Sequence, residues 1–546
     1  MIHNYYNVFS SFYIGAFMIE TDVLVVGGGA AGLRAAIEAR LMGLNVILAS
    51  KAPIGFSSST LYAGGGFRVA FGNYSRERHF EETIIGGKLL NDQELVKILV
   101  DEAPERLLEL RSFKVNLNIG DGFAHVSNGP LTKGEGLLLP MMRYAENLNI
   151  KFLENVMAVE LIVSEKVYGC IFFNPNSKKL FPIYSKSVIL ATGGYSQIFL
   201  RSDNPARVSG DGCAMGFRAG AELIDMEFIQ FFPLGLAEDN KPAWLFPAIN
   251  GKLLNKLDEE VLKKYGVEKP LMRAAIENRD LVSRIIWLEI SKGLGLDDAL
   301  IIELNREDFQ GLPGIANYLS KVLHLSSNRI KVSPIAHFTM GGIKIDENCR
   351  TVIPGLFACG EICGGVHGAN RLGGNALTEA IVFGAIAGRS AGEYALSSSR
   401  MSGGENELKN MKDLISSFKH GRFHVDDLRL KLKRAMWKGC GVIRSKTSLI
   451  DLMSEIDDLK TLFRDVKALS GFEILKAFEL RNMLQIAELV CLAALKREES
   501  RGAHYRLDYP EQLDKKWLKR ISFKLENGNL KLSYMPVNLK YVSIKF

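Results

Sequence analysis

The sequence predicts an α/β protein that opens on a βαβ unit, and three adjacent segments carry that prediction. Val23–Val26 is a short apolar run, GGGAAG follows at 27–32 and leads into LRAAIEARLMG with helical spacing, and NVILASK at 45–51 reads as a second strand. This is the Rossmann-like arrangement of a dinucleotide site. Gly27 permits the tight turn, Gly29 lets the backbone approach a pyrophosphate, and Gly32 lets the helix pack on the sheet, while the helix N-terminus supplies a positive field. Gly28, Ala30 and Ala31 complete the turn. Ser50–Lys51 stands where an NAD site usually carries an acidic residue, so FAD is favoured over NAD.

The chain has 546 residues, 47% of them hydrophobic, which is too many for one core and suits two or three domains. Its formal charge of +7 is mild and dispersed. No Lys/Arg run with interleaved aromatics occurs, which excludes a nucleic-acid channel and leaves an acidic substrate open. The seven cysteines are odd in number and scattered, against a disulfide framework and in favour of a reducing, cytoplasmic setting. Cys359 and Cys363 lack the companion ligands of a zinc or iron–sulfur site, so no metal is expected. No stretch reaches the ~20 apolar residues of a membrane span, so any membrane association would be indirect, through partners. Residues 1–17 carry no Lys or Arg and read as a leader or a misplaced start ahead of Met18.

Further segments follow in order: SKAPIGFSSSTLYAGGG (50–66), VILATGG (188–194), SGDGCAMGFRAGAEL (209–223), PGLFACGE (354–361) and HGANRLGGNALTEAIVFG (367–384). IAHFTMGGI (335–343), GCGVIRS (439–445) and REESRGAHYRLDYPEQLD (497–514) add landmarks. In sequence and order these resemble the flavoprotein subunits of fumarate reductase and succinate dehydrogenase, which are related to L-aspartate oxidase. The resemblance covers nearly the whole chain from Met18. It implies a Rossmann-like FAD-binding domain (18–231 and 333–398), an inserted α+β capping domain (232–332), a helical domain (404–499) and a C-terminal tail (500–546) with a structural or subunit-facing role.

The same resemblance assigns the FAD site. Ser58, Ser59, Thr60 and Gly64, Gly65 and Gly66 belong to one contacting segment, Ala191, Thr192 and Gly193 to another. Glycines there let main-chain N–H groups approach the cofactor. Asp211 and Glu361 are expected to accept from sugar hydroxyls, and Asn375, Ala376 and Leu377 to turn backbone donors and a helix dipole towards the flavin pyrimidine. Many relatives attach the flavin through a His where this chain has Ser59, so the FAD is expected to be non-covalent, with a lower potential that favours reduction of an acceptor. With no cluster ligands in the chain, the resemblance implies a separate iron–sulfur subunit as electron partner, with a small dithiol, free flavin or oxygen as alternatives.

For chemistry, ENRDLVSRIIW (277–287) nominates Arg279 as the proton-transferring residue, and AHFTMGG and HGANRLGG nominate His337 and Arg371 as the carboxylate holders. Arg suits that task because its planar fork binds a carboxylate bidentately. His367 is expected to shape the same loop. The opposite side departs from the family. Phe232, Pro233, Leu234 and Gly235 replace a His-Pro-Thr-Gly segment, and AWLFPAINGKLLN (243–255) lacks the Thr-Glu and Arg-Gly-Glu-Gly-Gly elements. A carboxylate pressed against Phe232 and Leu234 would lose hydration without replacement, costing several kcal/mol. Three readings follow: a small organic acid with one carboxylate and a neutral far end; a dicarboxylate with Lys241, Asn250 or Lys252 supplying new contacts; or a non-catalytic flavin-binding electron carrier.

Overall fold

The computed structural model describes residues 19–127, 132–237, 251–304, 329–399 and 403–542. At its centre the strands lie in the order Lys151–Leu153, Val46–Ala49, Ile19–Val26, Lys179–Leu190, Val167–Asn174 and Met157–Val163, with Leu356–Ala358 also paired along Lys179–Leu190. The pairs up to Lys179–Leu190, and that with Leu356–Ala358, are parallel, and the remaining two are antiparallel. Val23–Val26 is buried throughout, because helices cover both faces of a parallel sheet and strand alternation disappears.

The glycine turn has the shape its residues require. Gly27 has φ +124°, and a Cβ there would lie 2.1 Å from the Ala191 carbonyl oxygen. At Gly32 a Cβ would lie 1.9 Å from the Gly27 oxygen, so any side chain would force helix Ala30–Leu41 away from the turn. That helix packs on Asn375–Ser397 just as closely, since a Cβ at Gly388 would meet the Ala35 oxygen at 2.3 Å. Burying Ile381 and Val382 fully between helix and sheet contributes about 2 kcal/mol each.

A second sheet, in the order Ile229–Leu236, Arg329–Thr339, Leu300–Leu304, Gly251–Leu254, is antiparallel and carries helices Leu271–Glu277 and Arg279–Glu289. It has its own apolar core, including Leu234, Val282, Ile286, Ile302 and Val332. Its two longest strands run unbroken through residues 232 and 332 and enter the main body. Helices Glu405–Ser417, Val425–Cys440, Lys446–Phe463 and Gly471–Lys496 follow, the last two started by capping boxes at Ser445 and Ser470.

The tail turns back into the main body. Lys519–Glu526 and Asn529–Pro536 form a hairpin whose two turn residues, Asn527 and Gly528, both have positive φ. Lys519–Glu526 pairs in turn with Leu223–Ile224, immediately before the chain enters the second sheet. Among the described residues no helix is long and apolar enough to cross a membrane, and no His/Cys/Asp/Glu group could hold a metal ion.

Candidate active site

A cavity of about 520 Å³ runs from the glycine turn to the underside of the second sheet. Every residue the sequence nominated for FAD lines it except Gly32 and Asn375. Gly32 acts in packing, as described. Asn375 requires a correction. Its amide oxygen meets His79 Nε2 (2.9 Å), its amide nitrogen donates to Thr83 Oγ1 (3.0 Å), and its backbone N–H, the donor expected to face the flavin, donates to Leu372 O (3.2 Å). Ala376 and Leu377, which do line the cavity, are the ones left at this helix start.

The walls suit a dinucleotide. Helix Ala30–Leu41 begins at Gly29 with no acidic residue in its first turn; the neutral Thr60 hydroxyl accepts from Ala30 N at 3.3 Å, and the positive helix end faces the cavity without a counter-charge of its own. A Cβ at Gly64 would stand in open space, and at Gly193 it would meet only Val208, at 3.8 Å; these glycines leave room that side chains would fill. Lys51 Nζ is held by Ser209 (2.9 Å), Asp211 (2.5 Å) and Glu479 (2.8 Å). Asp211 accepts further from Ser209 and Asn482, so three donors already converge on the carboxylate expected to meet a sugar. Glu361 accepts from Thr339 N and Oγ1 through a single oxygen, and burial pushes its carboxyl up to about 7. Ser59 donates to Asn204 Oδ1 at 2.8 Å.

At the other end three groups converge. Gln230 Oε1 accepts from Arg279 Nη1 at 3.0 Å and from Arg371 Nη2 at 2.9 Å, while its amide nitrogen donates to Asn370 Oδ1 and Arg371 O. Arg371 lies over the Phe338 ring, at 4.5 Å from its centroid, and its Nε has no partner. Burial and the like charge of Arg279 push Arg371 down to about 9, and burial also lowers Arg279. Among the described residues neither guanidinium has a carboxylate ion-pair partner. Two cations joined only by a neutral amide form a site for an anion.

His337 and Arg371 line the cavity; Arg279 stands behind it, reached through Gln230 and over Gly373, whose added Cβ would meet Arg279 Nη2 at 3.4 Å. His367 is buried against Glu379 at 2.9 Å and supports this loop from behind. Phe232 lines the cavity with its ring 5.9 Å from that of His337. Leu234 does not line the cavity: it is fully buried in the core of the second sheet, against which Phe232 also packs from the cavity side. Lys252 is exposed on an edge strand opposite Glu303, away from the cavity, and Lys241 and Asn250 lie outside the described residues.

Sequence reasoning missed Gln230, Asp203 and Asn204. A lone polar residue in the buried run FIQFF was a usable signal for Gln230, since buried amides exist to be bonded. Asp203 and Asn204 sit in a turn, SDNPAR, with no such signal.

The chain matches the FAD binding domain family over residues 22–377 and the fumarate reductase flavoprotein C-terminal family over residues 429–546. It is 37% identical to an uncharacterised FAD-dependent oxidoreductase of Methanocaldococcus jannaschii, over 93% of this chain and 96% of that one. It is 36% identical to one of the subunits of the fumarate reductase (CoM/CoB) of Methanothermobacter marburgensis, over 90% and 95% respectively. A solved structure of E. coli quinol fumarate reductase superposes with a TM-score of 0.86 at 29% identity, covering 96% of this chain and 98% of that chain. With the positive helix end, the open glycines and the anion end in one cavity, the chain belongs to the family of FAD-dependent fumarate reductase and succinate dehydrogenase flavoproteins.

Proposed function

We propose that this flavoprotein interconverts an α,β-unsaturated organic acid and its saturated form, with Arg371 and His337 holding the carboxylate and Arg279 moving the proton. The observation that carries the proposal is Gln230 Oε1 joining two guanidiniums, neither paired with a carboxylate among the described residues. FAD, when bound, exchanges hydride with one of the two reacting carbons. Arg371 fixes the acid through its planar fork, and Gln230 holds Arg279 beside it so that the proton goes to or comes from the neighbouring carbon. Burial lowers the affinity of Arg279 for its proton, which makes it a better acid than a solvated guanidinium.

The named relative makes fumarate the first acid to test. Phe232 on the cavity wall supports a second substrate class, acids with one carboxylate and an apolar far end. Ser59 supports non-covalent FAD. The scattered, buried cysteines support electron delivery by a separate iron–sulfur subunit, through which a cytoplasmic chain would approach a membrane. The test is anaerobic reoxidation of reduced viologen by holoenzyme with fumarate, crotonate or an aryl enoate. Oxidation with at least one acid is expected; none with any acid would favour a non-catalytic electron carrier.

A further inference from the structure

Asp203 Oδ2 stands 2.7 Å from His337 Nδ1, and their side chains are only 12% and 22% exposed. Asp203 also accepts from Asn204 Nδ2 at 3.1 Å, and the same nitrogen donates to the His337 carbonyl at 2.9 Å. Carboxylate and imidazole are thus locked together by side chain and backbone. An ionised carboxylate has no hydrogen to give, so the hydrogen in this contact sits on Nδ1. A neutral ring would then turn a lone pair at Nε2, which repels a second carboxylate. Only a ring carrying both hydrogens can bind an acid. The other ionisable groups around Arg371 at this end are Arg279, Glu361 and Glu379. Phe232, from the second sheet, offers no charge at all.

We infer that Asp203 is a positioning residue that supplies the counter-charge for a doubly protonated His337, making the acid site a clamp of imidazolium and guanidinium. This rests on the acid chemistry proposed above. A charged hydrogen bond replaces a neutral contact, and acid affinity should follow the charge of Asp203.

Asp203→Asn keeps the size and the acceptor and removes the charge. Oxidised holoenzyme is titrated with succinate, butyrate and crotonate at neutral pH, following the flavin absorbance. The variant should keep its flavin and bind each responding acid roughly tenfold more weakly. In a His337→Gln background the same substitution should change nothing. Equal dissociation constants in the two proteins, equal weakening in both backgrounds, or loss of flavin from Asp203→Asn would each overturn the role of Asp203 while the acid chemistry stands. No response of wild-type flavin to any acid would overturn the acid chemistry and this inference with it.

Discussion

Ser59 donates its hydroxyl hydrogen to Asn204 Oδ1 at 2.8 Å, tying the segment where relatives anchor their flavin to the turn beneath His337. A serine hydroxyl engaged in that way has neither the ring nor the nucleophilicity to form the flavin bond. All FAD is therefore expected in the supernatant after acid precipitation. Yellow colour retained on the polypeptide in a denaturing gel would exclude this.

Arg279→Lys should lower turnover by 10²-fold or more, the usual contribution of a positioned proton donor, with FAD still bound. A lysine carries a point charge on a different stem and cannot reproduce the Nη1 contact to Gln230. Steady-state kinetics with a responding acid decide it, and unchanged turnover would remove Arg279 from the chemistry.

Gln230→Leu should act on both arginines at once. Each loses a hydrogen bond to a charged group, about 1.5–3 kcal/mol apiece, and two like charges lose the oxygen between them. KM for the acid should rise at least tenfold, and turnover should fall with it. A change in turnover with KM unaltered would mean that Gln230 does not hold the carboxylate end together.

Glu361 should cost the flavin-free protein stability as pH rises from about 4.5 to 7. Burial pushes Glu361 up to about 7, against 4.5 for the free side chain. Within that window the unfolded chain releases the proton and the folded one keeps it, so the unfolded state gains by about 3 kcal/mol once the window is crossed. Asp225, which burial also pushes up to about 7, adds in the same direction. Carboxylates lowered by their partners, such as Glu479, act below the window, whereas His79 and His504, which burial lowers, oppose the fall within it. The urea midpoint of the wild type relative to that of Glu361→Gln should therefore fall across this range and level above pH 7; a difference that stays constant with pH would rule out the assignment.

What was legible in the sequence depended on whether a residue's task is local. Gly27, Gly29 and Gly32 announce themselves, because turn, backbone approach and helix packing are set within six positions of one another. Phe232 was legible as a lost polar group, whereas Leu234 was misplaced because its depth in the core of the second sheet leaves no mark in the sequence. Asn375 was assigned a backbone role at the cofactor by its position, yet its N–H turns to Leu372, and His79 and Thr83, nearly three hundred residues earlier in the chain, hold its side chain. Gln230 and Asp203 acquire meaning only when distant segments meet. Arg279 was found through resemblance alone, as a helix-start arginine has nothing else to mark it.

The hairpin at Lys519–Pro536 sets the order in which the molecule can be finished. It flanks Leu223–Ile224, the short strand that precedes Ile229–Leu236, by which the chain enters the second sheet. On a ribosome, the glycine turn and its first sheet partners emerge early, while the strand that secures this junction appears long after the junction itself, beyond the four helices that follow the second sheet. The roof over the acid end therefore gains this support only once those helices have been made. A chain stopped before Lys519 should still offer the glycine turn to FAD while leaving the junction at Leu223–Ile224 unpaired on that side, a state that limited proteolysis near residue 225 would detect.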